Sequence, residues 1–302
     1  MNVTPMLFCL LLGCLTSLLV IPLMLLPGLR GSLPTLKRRQ GSGELSERNE
    51  GPPIPRLGGV ALAAAFVGVS LLICILYPAS WVEKGRITLG IVWTTLAMFF
   101  VGIWDDFRPM APGWKLLVQT LIAVAACVQG IHFEAFGSTL QGTTSHLGIW
   151  SWAFTVLWLL ALTNLFHRLD AINGLAGGVG FVVLSLLAYA GATVGAGFPV
   201  LCAIGMAGAL LGFLVYNLPP ARIYMGGGGA GLIGFLIANF SIVHPDQHTS
   251  MAAVLVLLLP LLGVCLAIWA GAPRVLPLGS SGPKLTSRQL SAPGPSRGSN
   301  RF

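Results

Sequence analysis

Two adjacent carboxylates, Asp105 and Asp106, close an apolar run that reads Phe-Phe-Val-Gly-Ile-Trp over residues 99–104. Like charges this close repel each other, so both stay ionised only where a cation lies between them. A hard cation such as Mg²⁺ accepts carboxylate oxygens and keeps coordination sites for a diphosphate. The pair therefore indicates metal binding or acid–base chemistry, and the alternative is the solvated beginning of a loop.

A second set of polar side chains recurs every three residues: Asn164, His167, Asp170 and Asn173. In a helical stretch, residues at this spacing can share a face and hold a polar ligand beneath a membrane. The alternative is a loop in which Asp170 or Asn173 caps the helix that follows. The spacing leaves both interpretations open.

Glycines mark two further segments. Four of them run from Gly226 to Gly229; such a run lets backbone amides approach a ligand and form an anion-binding nest. The alternatives are a hinge or close packing of helices in a membrane. Arg56 precedes another pair, in Pro-Arg-Leu-Gly-Gly at 55–59. Its guanidinium could clamp a phosphate or extend along a membrane interface.

The elements that carry these residues are strongly apolar. Of 302 residues, 55% are hydrophobic and only 9% are charged, whereas a soluble domain has about 25% charged residues. Too few charges remain to cover a soluble globule, which excludes that class. Apolar runs that can cross about 30 Å of hydrocarbon recur along the chain, and helices satisfy their own backbone there. We predict an all-α, polytopic transmembrane helix bundle of about nine spans, the first of them uncleaved, at 5–29, 57–78, 86–104, 114–133, 147–165, 174–193, 197–217, 223–243 and 250–271.

The basic residues fall mostly on one side of this predicted bundle. If the N-terminus is outside, every Lys and Arg except Lys84 and Arg86 lies on the inner side, which is the positive-inside pattern. The net charge of +8 then indicates an anionic leaflet and acidic ligands rather than nucleic acid. We expect a protein of the inner (plasma) membrane with cytoplasmic active-site loops. Its membrane domain would cover 1–271, and a disordered, basic tail rich in Ser, Gly and Pro would cover 272–302.

Four motifs in chain order resemble those of the polyprenyl-phosphate N-acetylhexosamine-1-phosphate transferases, a family of the glycosyltransferase 4 type. Residues 55–59 are similar to its first-loop motif, and the aspartate-pair motif is similar to Asp105-Asp106 with Pro112, Lys115 and Gln119. Residues 164–178 resemble N-x-x-N-x-x-D-G-x-D-G-L-A, and residues 220–226 resemble P-A-x-I-F-M-G. The likeness covers roughly residues 1–270.

This resemblance implies that a polyprenyl phosphate attacks a UDP-N-acetylhexosamine, which releases UMP and initiates a cell-envelope polysaccharide. It implies Mg²⁺, or Mn²⁺ in its place, at the diphosphate. Asp105 and Asp106 would serve the lipid phosphate or the metal, one of them as a base, and Asp170 would bind the nucleotide or the metal. The substrate-binding residues would be Arg56, Lys115, Asn164, His167, Asp170 and Asn173. A homodimer is compatible with the family.

The chain departs from the family pattern at several positions. Gly227 stands where the family has a metal-binding aspartate, and His167 and Asn173 replace an Asn and an Asp. A late cytoplasmic loop with closely spaced histidines is missing, and the tail would fit a truncated or frame-altered coding sequence. Two hypotheses therefore remain: an active transferase, and an impaired or truncated member that binds lipid phosphate or UDP-sugar without efficient turnover. A third, an unrelated transporter, is disfavoured because the acids lie at one face.

Overall fold

The computed structural model describes residues 3–26, 35–36, 54–133, 135–137, 144–146, 148, 150–194 and 197–243. Helices dominate these ranges, which confirms the predicted all-α class. Eight helices follow one another along the described residues: α1 (Val3–Met24), α2 (Gly58–Leu76), α3 (Pro78–Phe107), α4 (Pro112–Val128), α5 (Trp150–Leu169), α6 (Leu175–Val194), α7 (Gly197–Asn217) and α8 (Gly226–Ile242).

Each of the first eight predicted apolar runs coincides with one of these helices. Among the described residues, six helices are long and apolar enough to cross a membrane, namely α1, α2, α3, α5, α6 and α7. Helices α4 and α8 are apolar but have 17 residues each, which is about 25 Å of helix. The chain is a multi-pass membrane protein, but the count of nine spans is not confirmed. The ninth predicted run, 250–271, and the predicted tail at 272–302 lie outside the described residues.

Helix α3 is longer than the apolar run that predicted it. It begins at Pro78 rather than at residue 86, because proline has the backbone angle that a first helical turn requires. It ends at Phe107, since Pro109 disfavours helical conformation in the residue before it. Pro112 then opens α4. This short reversal places the last turn of α3 beside the first turn of α4.

Helix α8 lies at the centre of the bundle. All 17 of its residues are buried, and it packs against α2, α3, α5 and α6. Glycines permit this because they let helix backbones approach closely in a membrane. A Cβ added at Gly102 of α3 would lie 2.3 Å from the Gly227 carbonyl oxygen. The beginning of α8 is therefore held by backbone contact with its neighbours.

Among the described residues, two short antiparallel strand pairs accompany the helices. Strand β1 (Thr35–Leu36) pairs with β2 (Ile54–Pro55), and β3 (Ala135–Gly137) pairs with β4 (Thr144–His146). The segment after β2 is tied to the residues before α8. Tyr224 N–H donates to the Pro55 carbonyl at 2.9 Å, and Gly58 N–H donates to the Tyr224 carbonyl at 2.9 Å. The β2–α2 junction, which carries Arg56, is thereby fixed against the entry to α8.

Candidate active site

The predicted acidic residues meet at one end of the bundle, where the first turn of α8 lies. Asp105 and Asp106 belong to the last turn of α3, and Asp170 follows the last residue of α5. Arg56 lies two residues before the beginning of α2, and Lys115 lies in the first turn of α4. Segments far apart in sequence thus supply charges of both signs to one region.

Asp106 is buried against the first turn of α8. Its side chain is 5% exposed, and Arg56 Nη1 lies 3.7 Å from its Oδ1. The Gly228 N–H donates to its Oδ2 at 3.3 Å. In the part of the chain that the structure describes, Arg56 Nε is buried and has no hydrogen-bond partner. The guanidinium therefore neutralises Asp106 at a distance and keeps donors available for another acceptor.

Asp170 contacts the same turn of α8. Its Oδ2 accepts a hydrogen bond from the Gly226 N–H at 3.0 Å. Burial raises the pKa of Asp170 to about 7, while the Arg56 guanidinium and the Gly226 N–H oppose that rise. With a pKa near 7, Asp170 is largely protonated below pH 7, which reduces its repulsion with Asp106, and a bound cation would displace its proton.

These contacts decide between the alternatives for the glycine run. The N–H groups of Gly226 and Gly228 already donate to Asp170 and Asp106. A Cβ added at Gly59 would lie 2.3 Å from the Gly229 nitrogen, so the glycines serve close helix packing. The amides do not form an open anion nest, because protein carboxylates take the place of the anion. Asp170 likewise caps α8 and not the helix that follows it in sequence.

Asp105 has different partners from those of Asp106. Its Oδ1 accepts the Met110 N–H at 2.9 Å, and its Oδ2 accepts a hydrogen bond from Lys115 Nζ at 2.8 Å. Both side chains are partly exposed, at 23% for Asp105 and 21% for Lys115. Each carboxylate oxygen is engaged, so Asp105 holds Lys115 in place at the corner between α3 and α4.

Two of the other predicted binding residues, Asn164 and His167, have different neighbours. Asn164 Nδ2 donates to Gln119 Oε1 of α4 at 3.1 Å, whereas the His167 ring lies beside Gly231 of α8. His167 Nδ1 donates to the Thr163 carbonyl at 2.8 Å. Three residues along a helix rotate a position by about 300°, so the Asn164 and His167 side chains point about 60° apart around the axis. The predicted common face therefore remains possible for this pair, although each side chain contacts a different helix.

Asn173 lies in the turn between α5 and α6 and is partly buried. One alternative was that Asn173 caps α6, but at the beginning of that helix the Gly174 N–H donates to Asn217 Oδ1 at 2.9 Å. Asn217 had no assigned role in the sequence analysis, and the amides of the glycine run were assigned to an external anion rather than to carboxylates of the protein. Asn217 was visible only as a polar residue at the end of an apolar run.

The carboxylates fit a magnesium ion better than a metal held by protein ligands alone. Among the described residues, no three His, Cys, Asp or Glu side chains cluster closely enough to hold a metal. Mg²⁺ needs only one or two protein carboxylates when phosphates and waters complete its shell. Asp106 and Asp170, both against the first turn of α8, offer that number. A Cβ at Gly227 would lie 3.2 Å from both Asp106 oxygens, so an aspartate there would face the same place.

Sequence comparisons identify relatives with one kind of activity. Residues 88–244 match the family model described as glycosyl transferase family 4. A Bacillus subtilis protein, provisionally named as an undecaprenyl-phosphate N-acetylglucosaminyl 1-phosphate transferase, is 26% identical over 67% of this chain and 55% of its own length. A Staphylococcus aureus phospho-N-acetylmuramoyl-pentapeptide-transferase is 27% identical over 83% of this chain and 81% of its own length.

A third relative, from Saccharolobus solfataricus, is provisionally named as a UDP-N-acetylglucosamine–dolichyl-phosphate N-acetylglucosaminephosphotransferase. It is 27% identical over 72% of this chain and 66% of its own length. The chain thus spans between about half and four fifths of the length of these relatives. The family model covers more than half of the chain, and its matched region contains Asp105, Asp106, Asp170 and the first turn of α8. The chain is therefore a member of glycosyl transferase family 4.

Proposed function

We propose that this protein transfers an N-acetylhexosamine-1-phosphate from a UDP-sugar to a polyprenyl phosphate, such as undecaprenyl phosphate, and releases UMP. The product would initiate a cell-envelope polysaccharide at the cytoplasmic side of the inner (plasma) membrane. The relatives named above support a lipid-phosphate acceptor and an acetylated amino sugar. A homodimer stays a prediction that the described residues do not address.

One observation carries the proposal: carboxylates and cations from four segments meet at the end of the bundle where α8 begins. Asp106 and Asp170 lie against its amides, Arg56 lies 3.7 Å from Asp106, and Lys115 contacts Asp105. Transfer of a phosphoryl group needs charge stabilisation and positioning more than covalent chemistry by the protein. Cations and buried carboxylates in one place supply both requirements.

The proposed reaction is a displacement at the phosphorus that carries the sugar. A phosphate oxygen of the lipid forms a new bond to that phosphorus, and the bond from it to the bridging oxygen breaks. The bridging oxygen and its electron pair leave with UMP. Lys115, held by Asp105, would contact a phosphate of one substrate. The free donors of Arg56 would contact the diphosphate of the other, which offsets charge as the leaving group departs.

Asp106 and Asp170 would hold the metal. Bound Mg²⁺, or Mn²⁺, offsets the charge of a diphosphate and of its leaving group. To bind the metal, the two carboxylates would have to release the α8 amides or share their oxygens between the amides and the metal, because Gly226 and Gly228 donate to them. Asp105 is the weaker candidate ligand, since Met110 and Lys115 occupy both of its oxygens.

A second candidate function is binding without efficient turnover, and Gly227 favours it. The position faces both oxygens of Asp106, and the resemblance places a metal-binding aspartate there. A missing carboxylate ligand would leave the metal with fewer protein contacts, at a cost of several kcal/mol in the transition state. Lipid phosphate and UDP-sugar would then still bind to Arg56 and Lys115.

UMP release separates these two functions. The full chain is purified in nanodiscs and incubated with undecaprenyl phosphate, UDP-N-acetylglucosamine and Mg²⁺. For an active transferase, we expect UMP that requires the lipid and disappears in Asp106→Asn. For the impaired alternative, we expect no release by the wild type and release by Gly227→Asp.

A Gly→Asp change elsewhere provides the matched control. A Cβ at Gly227 would lie 2.9 Å from the Gly102 carbonyl, so the aspartate requires a small backbone shift, whereas Gly85 has open space around it. Gly85→Asp should leave UMP release as it is in the wild type. Absence of UMP from the wild type and from Gly227→Asp, with folded protein in both, would refute the transferase proposal.

The metal assignment has a test that needs no turnover. Mg²⁺ or Mn²⁺ should raise the melting temperature of the wild-type protein in nanodiscs, because a ligand that binds only the folded state stabilises it. The rise should disappear in Asp106→Asn and in Asp170→Asn. An unchanged rise in both variants would place the metal elsewhere.

A further inference from the structure

Asn217, the last residue of α7, joins two loops that both end at the candidate site. Its side chain is buried, with 4% of the residue exposed. Its Oδ1 accepts the Gly174 N–H at 2.9 Å, and its Nδ2 donates to the Ile223 carbonyl at 2.9 Å. Both polar atoms of the amide are thus used, and each binds the backbone of a different loop.

The first of these loops carries Asp170. It runs from the end of α5 to the beginning of α6, and Gly174 closes it with φ of 77°. A Cβ at Gly174 would lie 2.8 Å from Leu218 Cδ2, so the loop contacts the residue that follows Asn217. Gly174 immediately precedes α6, and the backbone donors at the beginning of a helix lack helical partners. Asn217 supplies that partner and fixes the distance between α7 and the Asp170 loop.

The second loop leads to Gly226. Ile223 is fully buried, and the Arg222 N–H donates to the Tyr216 carbonyl at 2.8 Å. Tyr224 and Met225, which follow, bond to the β2–α2 junction through the Pro55 carbonyl and the Gly59 N–H. Asn217 therefore holds one side of this segment while the junction that carries Arg56 holds the other.

A hydrogen bond between Asp170 and Gly226 closes a ring. The path runs from Asp170 through its loop to Gly174, across Asn217 to Ile223, along the chain to Gly226, and back to Asp170 Oδ2 at 3.0 Å. We infer that Asn217 is a positioning residue, which sets where Asp170 stands relative to the first turn of α8. It acts on the site through backbone, and its amide contacts no substrate atom in this scheme.

Hydrogen exchange tests the inference without reference to turnover. In full-length Asn217→Leu, which has a similar volume and no polar atoms, the amides of residues 172–176 and 223–228 should exchange roughly tenfold faster or more than in the wild type. The Gly226 N–H is the diagnostic one, because Asn217 does not touch it. Wild-type protection at Gly226 in this variant would overturn the inference.

Asn239 offers a matched control. It is a fully buried asparagine in α8, and neither of its side-chain polar atoms has a hydrogen-bond partner among the described residues. Asn239→Leu should leave exchange at 172–176 and 223–228 unchanged. If Asn217→Leu does not fold, Asn217→Asp retains the acceptor for Gly174. It should lose protection at 223–228 more than at 172–176, and equal protection of both segments at the wild-type level would again overturn the inference.

Turnover gives a second readout, which rests on the proposed function. Per folded molecule, Asn217→Leu should lower kcat for UMP release about tenfold or more with little change in KM, because substrates still meet Arg56 and Lys115. A merely structural role predicts less folded protein with unchanged kcat. If the wild type releases no UMP, the proposed function fails while the exchange experiment still decides the role of Asn217.

Discussion

Asp105 and Asp106 are neighbours in sequence, but they belong to two different regions of the site. The α3–α4 corner contains Asp105, Lys115 and the Met110 N–H, and its side chains are partly exposed. The α8 entrance contains Asp106, Asp170 and the amides of Gly226 and Gly228, and Asp106 there is nearly inaccessible. Consecutive residues on a helix point about 100° apart, which is enough to give each carboxylate its own neighbours.

The comparison teaches that two adjacent aspartates can have different roles in one site. At the corner, a carboxylate with both oxygens engaged positions a cation. At the entrance, carboxylates cap a helix whose first residues have no side chains, and they lie near a guanidinium at a distance longer than a hydrogen bond. We therefore expect the entrance to be rigid and essential for chemistry, and the corner to be adjustable and important for binding.

The largest expected effect separates the two carboxylates in turnover. Asp106→Asn should lower kcat for UMP release by about 10²–10³-fold, because a charge in the reacting centre is lost. Asp105→Asn should have a smaller effect on kcat and a larger one on KM, since it releases Lys115. Steady-state kinetics with UDP-N-acetylglucosamine check both variants. A larger loss of kcat in Asp105→Asn would reverse the assignment of tasks.

The next effect concerns the rigidity of the entrance. Gly226 has φ of 75°, and a Cβ there would lie 2.1 Å from the Arg56 carbonyl oxygen. Gly226→Ala should destabilise the protein by at least about 2 kcal/mol, because left-handed backbone alone costs about 1–2 kcal/mol. Gly113 at the corner has nothing within 4 Å of an added Cβ, and Gly113→Ala should be neutral or stabilising. Thermal unfolding of both variants in the same nanodiscs measures the contrast.

A smaller effect is expected at the corner itself. Lys115→Met removes a hydrogen bond to a charged group, worth about 1.5–3 kcal/mol, and should raise KM for the substrate whose phosphate it contacts about 10–100-fold. Because its side chain is only 21% exposed and also contacts Asp105, the melting temperature should fall as well, and KM is compared per folded molecule. Lys115→Arg is the matched variant, and it should keep part of the binding. Unchanged KM for both substrates in Lys115→Met would remove Lys115 from the proposed mechanism.

The last contrast is a pH dependence at the entrance. The folded-state pKa of Asp170 is raised to about 7 by burial, above the value of about 3.9 for an exposed Asp. A folded state that holds its proton more tightly is stabilised below pH 4, and this stability is lost as pH rises through about 7. The metal-free protein should therefore lose up to about 1.4 kcal/mol of unfolding free energy per pH unit in this range.

The matching variant of that experiment is Asp170→Asn. Its melting temperature should lack the part of the pH dependence that Asp170 causes between pH 4 and 7, while Lys115→Met should retain it. A pH profile of Asp170→Asn identical to that of the wild type would assign the titration to another group. Chelator is present throughout, so that no bound cation displaces the proton.

Much of the fold followed from hydropathy, and the reason is physical. Apolar runs predicted the first eight helices because a chain in hydrocarbon must satisfy its backbone within the helix. The bounds of the helices were less predictable where a helix continues into polar sequence. At the beginning of α3, Pro78 opens the helix before the apolar stretch. The last predicted run and the tail lie outside the described residues and stay predictions.

The sequence by itself determined that this is a membrane protein with family motifs, and it indicated Arg56, Asp105, Asp106 and Asp170 as residues for chemistry. Composition and order suffice for this, because charges at the ends of apolar helices are costly and therefore informative. Only the tertiary structure decided that Asp106 and Asp170 meet at the α8 amides, that Asp105 faces Lys115, and that Asn217 ties the loops together. Those facts depend on helix rotation and on backbone donors, and neither is written in the pattern of side-chain types.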